Sequence, residues 1–188
     1  MLFRSKAGLP ARPDAGDGGP DKRAGHPVGH LWQAEQKGPP LDEGLYDPAN
    51  EPDIAYAHLF SYFKGEEWRT QKELHRLLQK YFKNAPDGIP GNDDTGTMSA
   101  WAIFNMMGFY PDCPGEPAYT LSTPVFDKVT IKLDPKYWGR GQLVIETERP
   151  SAESLYIREM ELGGKRLSHL RISHQELVEG GKLRFVLR

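Results

Sequence analysis

A change in hydrophobic period near residue 117 constrains the fold more than any other feature of the sequence. Before it, apolar residues recur every three or four positions, as they do on the buried face of a helix. The clearest set is Leu74, Leu77, Leu78, Tyr81 and Phe82. After it, apolar and polar residues alternate over 126–133 and 142–148, which is typical of strands. Helices followed by strands, rather than alternating with them, predict an α+β fold and not a doubly wound parallel sheet.

The spacing predicts three helices in the first part of the chain. One covers 52–65, a second is capped by Thr70, and a third runs from about 97 to 108. Pro52 suits the first turn of a helix, so Asn50 or Glu51 would be the cap of the first one.

The second part of the chain contains five or six short predicted strands. The pair Gly163-Gly164 marks the turn of a hairpin. Ser173 and Glu176 have the spacing of a capping box at the start of a short helix. The last strand covers 182–187.

Residues 1–40 differ in composition from the rest of the chain. Gly and Pro are frequent there, and the apolar residues between them are isolated. Such a segment cannot bury enough surface to offset its conformational entropy, so we expect a disordered arm. The chain is therefore predicted to divide into an arm at 1–40, a helical part at 41–117 and a β part at 118–188.

Charge and hydropathy exclude several classes of protein. The formal net charge of −2 and the pI near 6.3 give no basic footprint for a nucleic acid. No apolar run reaches the roughly 18–20 residues that span a bilayer. No apolar segment follows Met1, so the sequence shows no signal peptide.

The loop before the third helix concentrates oxygen-bearing side chains. Asn92, Asp93 and Asp94 lie among turn-forming Gly and Pro residues, just before a helix N-terminus, which favours negative charge. Two interpretations are open: a helix cap in a polar turn, or a general base or ligand of a hard cation. A second polar cluster at 47–53 has the same two interpretations. Both clusters could converge on one pocket if the helices pack side by side.

Several segments form a pattern that is recognisable as a set. They are 50–54, 68–71, 89–101, 108–111, 113–115 and 124–129. In order and spacing they resemble the conserved blocks of glycoside hydrolase family 92, the calcium-dependent exo-acting α-mannosidases. The resemblance covers about residues 41–188, and residues 1–40 show none of it.

This resemblance implies a fold and a reaction. The fold would be the C-terminal helices of an (α/α) barrel followed by a small antiparallel β-sandwich-like region. The reaction would be hydrolysis of α-mannosidic bonds in N-glycans or mannans with inversion, which needs an acid and a base about 6.5–9.5 Å apart. The resemblance points to Asp94 as the base, with Asp93 assisting or orienting. Some relatives carry a carboxylate at the position of Asn92.

The resemblance also implies calcium and a set of binding residues. Asn50, Glu51 and Asp94 are the candidate calcium ligands, and Asn92, Glu51 and Trp68 are the candidate sugar contacts. From the residues alone, Trp68 could equally be an ordinary core side chain.

Family members are several times longer than this chain, and their general acid precedes the matched region. We therefore expect a C-terminal piece of a mannosidase that needs the missing upstream part and is inactive alone. The alternative is a non-catalytic carbohydrate-binding or assembly fragment. Relatives are typically secreted or periplasmic, so localisation stays open.

Overall fold

The computed structural model describes the backbone of residues 2–4, and residues 46–48 and 50–188. The predicted disordered arm at 1–40 lies outside the described residues, with the exception of Leu2–Arg4. These three residues form a strand, β1, that pairs antiparallel with β4 (Lys128–Lys132). The predicted divisions at residues 40 and 117 stay predictions.

The first predicted helix is two short 3₁₀ helices, Glu51–Asp53 and Tyr56–Tyr62, so the prediction of one continuous helix was wrong. The physical reason is a competing hydrogen bond. The Ile54 carbonyl, which an α-helix would offer to the N–H of His58, accepts the indole N–H of Trp101 at 2.9 Å. The N–H of His58 therefore bonds to Ala55 at 3.0 Å in the tighter 3₁₀ pattern.

Two α-helices follow. Helix α1 (Glu67–Tyr81) begins three residues before the predicted cap, and Thr70 is buried inside it. The earlier start follows from Glu67, whose side chain accepts the N–H of Gly65 at 2.7 Å and closes the preceding turn. Helix α2 (Thr97–Met107) confirms the third prediction and ends at Gly108.

These helical segments have a defined relative direction. Trp101 bonds to Ile54, and Asn105 bonds to His58 at 2.9 Å, so the contacts step along both segments in the same direction. The second 3₁₀ helix and α2 are therefore parallel. Phe82, which follows α1, stacks on Trp101 with ring centroids 5.5 Å apart. The end of α1 thus lies near the start of α2. Helix α1 begins at Glu67, only five residues after the second 3₁₀ helix ends at Tyr62, so its start lies at the opposite end and it runs antiparallel to α2.

The second part of the chain forms two sheets and a short helix. The strands are β2 (Phe109–Tyr110), β3 (Ala118–Leu121), β4, β5 (Gln142–Glu148), β6 (Ile157–Leu162), β7 (Lys165–Arg166), β8 (Arg171–Ser173) and β9 (Lys182–Leu187), and the helix is α3 (His174–Gly180). One sheet has the order β1-β4-β5-β9-β6-β7, and the other has the order β2-β3-β8. The hairpin at Gly163-Gly164, the capping box of α3 and the bounds of β5 and β9 confirm the predictions.

One pairing departs from the predicted antiparallel arrangement. Strand β9 inserts between β5 and β6, and it runs parallel to β5 but antiparallel to β6. The chain between β5 and β9 includes two strands of one sheet, one of the other, and α3. A connection of this length permits a parallel pair, which a tight turn cannot make. The α+β class itself is confirmed.

Two hydrophobic cores support these parts. Side chains from both sheets and α3 form one core, including Val129, Ile145 and Phe185. Side chains of α1, α2 and the second 3₁₀ helix form the other, including Leu77 and Trp101. Within the described residues, no helix is long and apolar enough to cross a membrane.

Gly108 gives a test of how α2 is joined to the sheets. Its φ is +92°, and an added Cβ would lie 2.6 Å from Cγ of Pro124 and 3.0 Å from the Ser122 carbonyl. We expect Gly108→Ala to lower the free energy of unfolding by the cost of left-handed backbone plus about 1–3 kcal/mol of overlap. Gly65→Ala is the matched control, because Gly65 has φ +89° and open space around it. Equal losses in urea denaturation of the two variants would contradict a close contact at Gly108.

His58 gives a pH dependence of stability. It is fully buried, and this burial lowers the pKa of its imidazole, with the bond to Asn105 acting weakly in the opposite direction. Below a pH of about 6.5 the unfolded chain takes up a proton at this residue before the folded one does. We therefore expect stability to fall from pH 6.5 downwards, by up to about 1.4 kcal/mol per pH unit for this group.

The variant His58→Gln isolates this contribution, because its amide can still donate to Asn105. The pH slope of its unfolding free energy between pH 7 and 5 should be shallower than that of the original chain. His75, whose pKa is also lowered by partial burial, remains in both proteins and acts in the same direction. Identical slopes would show that His58 takes no part.

Candidate functional site

The acidic loop has an unusual backbone. Asp94, Thr95 and Gly96 follow one another with φ values of 45°, 61° and 96°. Two consecutive non-glycine residues in the left-handed region cost energy, and such strain is found most often at functional sites. The Asp94 carbonyl stabilises the turn by accepting the N–H of Thr97 at 3.2 Å and its hydroxyl at 2.8 Å.

Asp93 caps helix α2. Its Oδ1 accepts both the backbone N–H and the hydroxyl of Ser99, each at 2.8 Å. Ser99 is the third residue of α2, and its N–H is among the donors that a helix leaves unpaired at its start. Gly96 occupies the cap position and has no side chain to do this. For Asp93, the geometry agrees with the interpretation as a helix cap.

Asp94 differs from its neighbour. Its carboxylate is half-buried, and Oδ1 accepts the side-chain amide of Asn92 at 2.7 Å. The other oxygen, Oδ2, accepts no hydrogen bond from a side chain or N–H in the described part of the chain. Because Asn92 is neutral, it orients Asp94 without the repulsion that a second carboxylate would add. Asp94 is therefore a fixed carboxylate with one oxygen able to accept a proton.

The second polar cluster contains Asn50, Glu51 and Asp53. Asn50 lies at the start of the first 3₁₀ helix but makes no side-chain capping bond, and Glu51 is exposed. Asp53 is buried, and burial raises the pKa of its carboxyl group. Its Oδ2 accepts the N–H of Asp47 at 2.9 Å.

Five of the six predicted site residues lie at one end of the helical part. Because the second 3₁₀ helix and α2 are parallel, the segments that precede them lie at the same end. That end, called the loop end below, carries Asn50, Glu51, Asn92, Asp93 and Asp94. Trp68 lies at the start of the antiparallel α1. Fourteen residues, or roughly 21 Å of helix, separate it from Phe82 near the loop end. The structure does not bring Trp68 together with the other five.

The candidate calcium ligands do not form a complete site by themselves. Calcium takes about six to eight oxygen ligands. Within the described residues, no group of three or more Asp, Glu, His or Cys side chains is placed to hold a metal ion. Asn50, Glu51 and Asp94 could supply only part of such a site.

At the end opposite to the loop end there is a cleft of about 590 Å³. It lies between α1, β6, β7 and the segment 167–171. Residues from all these elements line it, together with the end of the second 3₁₀ helix and one residue of β3; they include Ser61, Tyr62, Glu67, Trp68, Arg158, Glu159, Arg166, His169 and Arg171. None of the five residues of the loop end is among them.

A hydrogen-bond network fixes one side of this cleft. The Tyr62 hydroxyl donates to Oδ2 of Asp112 at 2.7 Å and accepts from the Arg171 guanidinium at 2.9 Å. The Thr120 hydroxyl donates to the other oxygen of Asp112 at 2.8 Å. Sequence reasoning missed this network, because its members are up to 109 positions apart and no motif links them. Only the position of Tyr62, away from the buried residues of its helix, could have indicated it.

Comparison with known proteins gives a consistent result. A sequence profile of the glycosyl hydrolase family 92 catalytic domain matches residues 26–188. The match begins at residue 26, so the expectation that residues 1–40 show no resemblance to the family was wrong for residues 26–40. A protein of Arthroderma benhamiae described as an uncharacterized secreted glycosidase is 31% identical over 147 residues, which is 78% of this chain and 19% of that protein.

Solved structures are similar as well. A family GH92 α-mannosidase of Bacteroides thetaiotaomicron, solved with mannoimidazole, is 33% identical with a TM-score of 0.69, over 77% of this chain and 18% of that one. A GH92 inverting mannosidase of the same bacterium is 34% identical with a TM-score of 0.67, over 78% and 19% of the two chains. A further GH92 glycosyl hydrolase has a TM-score of 0.70 at 21% identity, over 86% and 24% of the chains, and supports the fold alone. The chain spans about a fifth of the length of these relatives.

The role of Asp93 as a cap can be tested by stability. We expect Asp93→Ala to lower the free energy of unfolding by about 0.5–2 kcal/mol, because Ser99 loses its acceptor. Asp93→Asn keeps an acceptor oxygen and should lose less. Asp94→Asn is the control, with a change within about 0.5 kcal/mol, because an Asn tolerates the left-handed backbone there. If Asp93→Ala is as stable as the original chain in urea denaturation, the capping role is wrong.

Proposed function

The chain belongs to glycosyl hydrolase family 92, and on this basis we propose that it is the C-terminal part of an inverting exo-α-mannosidase. Its substrates would be α-mannosides of N-glycans or mannans. The observation that carries the proposal is the geometry of Asp94, a half-buried carboxylate on a strained turn with one oxygen unbonded within the described residues. The similarity to two mannosidases, one of them inverting, supports the choice of substrate class.

In this proposal Asp94 is the general base. In an inverting glycosidase the base takes a proton from a water that attacks the anomeric carbon from the face opposite to the leaving group. A carboxylate held by one amide can keep its free oxygen directed at that water. Asp93 assists as a positioning residue, because its bonds to Ser99 fix the start of α2 and therefore the loop. The same bonds occupy its Oδ1.

The general acid would come from the region that precedes this segment in the family. The chain spans about a fifth of the relatives' length. Of the other carboxylates near the described loop end, Asp93 caps α2, Asp53 is buried, and Glu51 is exposed, so none of them is both fixed and directed at a substrate. An inverting mechanism without its acid loses on the order of 10² to 10⁴ in rate. We therefore infer that the chain is inactive alone.

We further propose that Asn50, Glu51 and Asp94 contribute oxygen ligands to a calcium ion, and that Asn92 and Glu51 contact the sugar. A bound calcium ion would polarise and orient mannose hydroxyl groups. The remaining ligands would have to come from outside the described residues, since these do not complete a site.

Hydrolysis of α-1,2-linked mannobiose tests the proposal. The purified chain should release no mannose, with calcium or with a chelator. A longer chain that includes the upstream region of the same gene should release mannose in a calcium-dependent way, and the first product seen by NMR should be β-mannose because of inversion. Asp94→Asn in that longer chain should lower kcat by about 10² to 10⁴.

Asp87→Asn is the matched control. Asp87 is an exposed carboxylate in the same loop region that pairs with Lys83 at 2.5 Å, so its loss should leave the rate unchanged. Mannose release by the purified chain alone would contradict the missing acid. Full activity of the Asp94→Asn variant would contradict its role as the base.

A further inference from the structure

We propose that the cleft opposite to the loop end is a separate carbohydrate site. Trp68 and Tyr62 form its aromatic platform, and it binds a neutral oligosaccharide without cleaving it. This goes beyond the proposed catalytic role of the chain. Only the choice of a mannoside as its first ligand rests on that role.

The position of the cleft separates it from the loop end. Trp68 lies in the first turn of α1, whereas Phe82, just after the last turn, contacts Trp101 near the start of α2. The helix between them is roughly 21 Å long. A sugar bound to Trp68 is thus too far from Asp94 to be the residue that is hydrolysed.

Both aromatic side chains are exposed although they are held in place. Trp68 is 44% and Tyr62 is 55% exposed. The Trp68 ring meets Tyr156 edge-on, with centroids 6.4 Å apart. Tyr62 is fixed by its bonds to Asp112 and Arg171. The Arg171 guanidinium lies over one face of Tyr62, 5.4 Å from its centroid. The Lys72 ammonium lies over one face of Trp68, 5.9 Å from its centroid, so each ring offers its opposite face. An aromatic face carries partial negative charge, which attracts the C–H groups on one side of a sugar ring, and a fixed ring loses little entropy on binding.

The backbone behind the platform is fixed as well. Gln71, one turn after Trp68, accepts the N–H of Ile157 at 2.8 Å and the Thr123 hydroxyl at 3.4 Å. These bonds join the first turns of α1 to the start of β6. Two walls of the cleft are therefore connected directly, and the site does not have to form on binding.

The charges in the cleft favour a neutral ligand. Arg171 lies 2.5 Å from Glu116 and 3.6 Å from Asp112, and Arg158 lies 3.6 Å from Glu159. Of the arginines that line the cleft, Arg166 has no ion pair among the described residues. One uncompensated guanidinium is a weak site for a phosphate or sulfate, whereas mixed donors and acceptors suit a polyhydroxylated molecule.

The hydrogen-bonding groups and the volume of the cleft agree with a neutral oligosaccharide as ligand. Ser61 and Ser168 add hydroxyl groups to the cleft wall, and His169 adds an imidazole. The volume of about 590 Å³ lies within the range of roughly 300–1,000 Å³ that small-molecule sites occupy. The lining is more polar than is usual for an apolar drug-like ligand.

Binding to the full chain tests this proposal. The chain is titrated with α-1,2-mannotriose, and with maltotriose and cellotriose in parallel, using tryptophan fluorescence and saturation-transfer NMR. We expect saturable binding of the mannotriose. Trp68→Ala should weaken it about tenfold or more, and Trp68→Phe, which keeps an aromatic ring, should weaken it less. Circular dichroism and melting curves establish that each variant is folded.

Two control variants distinguish binding in the cleft from binding elsewhere on the chain. Tyr137→Ala removes an exposed aromatic ring, 67% accessible, that lies outside the cleft, and should leave the affinity unchanged. Asp87→Asn should also leave it unchanged, because Asp87 is an exposed residue that follows the far end of α1 and does not line the cleft. Loss of affinity in either control equal to that of Trp68→Ala overturns the proposal, as does the absence of saturable binding of every sugar. Preference for maltotriose or cellotriose with the same dependence on Trp68 supports the cleft and counts against the α-mannoside substrate of the proposed function.

Discussion

Two hydrogen bonds between the segment 54–58 and α2, one part-buried and one fully buried, determine the arrangement of the helical part. The Trp101 indole donates to the Ile54 carbonyl, and Asn105 accepts the imidazole of His58. Asn105 also donates its amide to the Trp101 carbonyl at 2.9 Å, so its oxygen must face His58 and the imidazole must carry its proton on Nε2. A buried donor or acceptor without a partner costs about 1–3 kcal/mol. Any sliding of one segment along the other would break both bonds together, and the parallel register is therefore strongly specified.

The parallel register explains why candidate site residues lie at two opposite ends of the helical part. Parallel segments bring their preceding loops to one end, so carboxylates that are about forty residues apart in sequence lie at the same end of the helical part. The returning helix α1 must then begin at the other end, where Tyr62 and Trp68 meet the β sheets. Gln71 joins α1 to β6 at this second end. One set of contacts between these segments thus determines which polar residues lie at each end of the helical part.

Local sequence signals were sufficient where a structure depends on local interactions. The bounds of α2, β5 and β9, the hairpin at Gly163-Gly164 and the capping box of Ser173 follow from caps, turns and period. The 3₁₀ geometry at 56–62 could not be predicted, because it depends on the bond from Trp101, which is 47 positions away from Ile54. The parallel pairing of β9 with β5, and the position of Trp68 at the end opposite to the loop end, likewise depend on contacts between residues far apart in sequence. The sequence shows which residue types the acidic loop contains, but it does not show that Asp93 and Asp94 make different bonds.

That difference has a mechanical consequence. The left-handed turn at 94–95 is unfavourable by itself, and it persists because Asp93 holds Ser99 while the Asp94 carbonyl holds Thr97. The two bonds anchor the turn to the first turn of α2, and Trp101 in the next turn packs into the core. Within the described residues, the hydrogen bonds of the Asp94 side chain and backbone all come from the segment 92–97. The proposed base is the half of an inverting site that a short segment can carry, since its geometry is local. The acid must instead face the base from about 6.5–9.5 Å away, with a water molecule and a sugar between the two. Holding it there requires a second wall of the site, which the loop end of the three helical segments does not form.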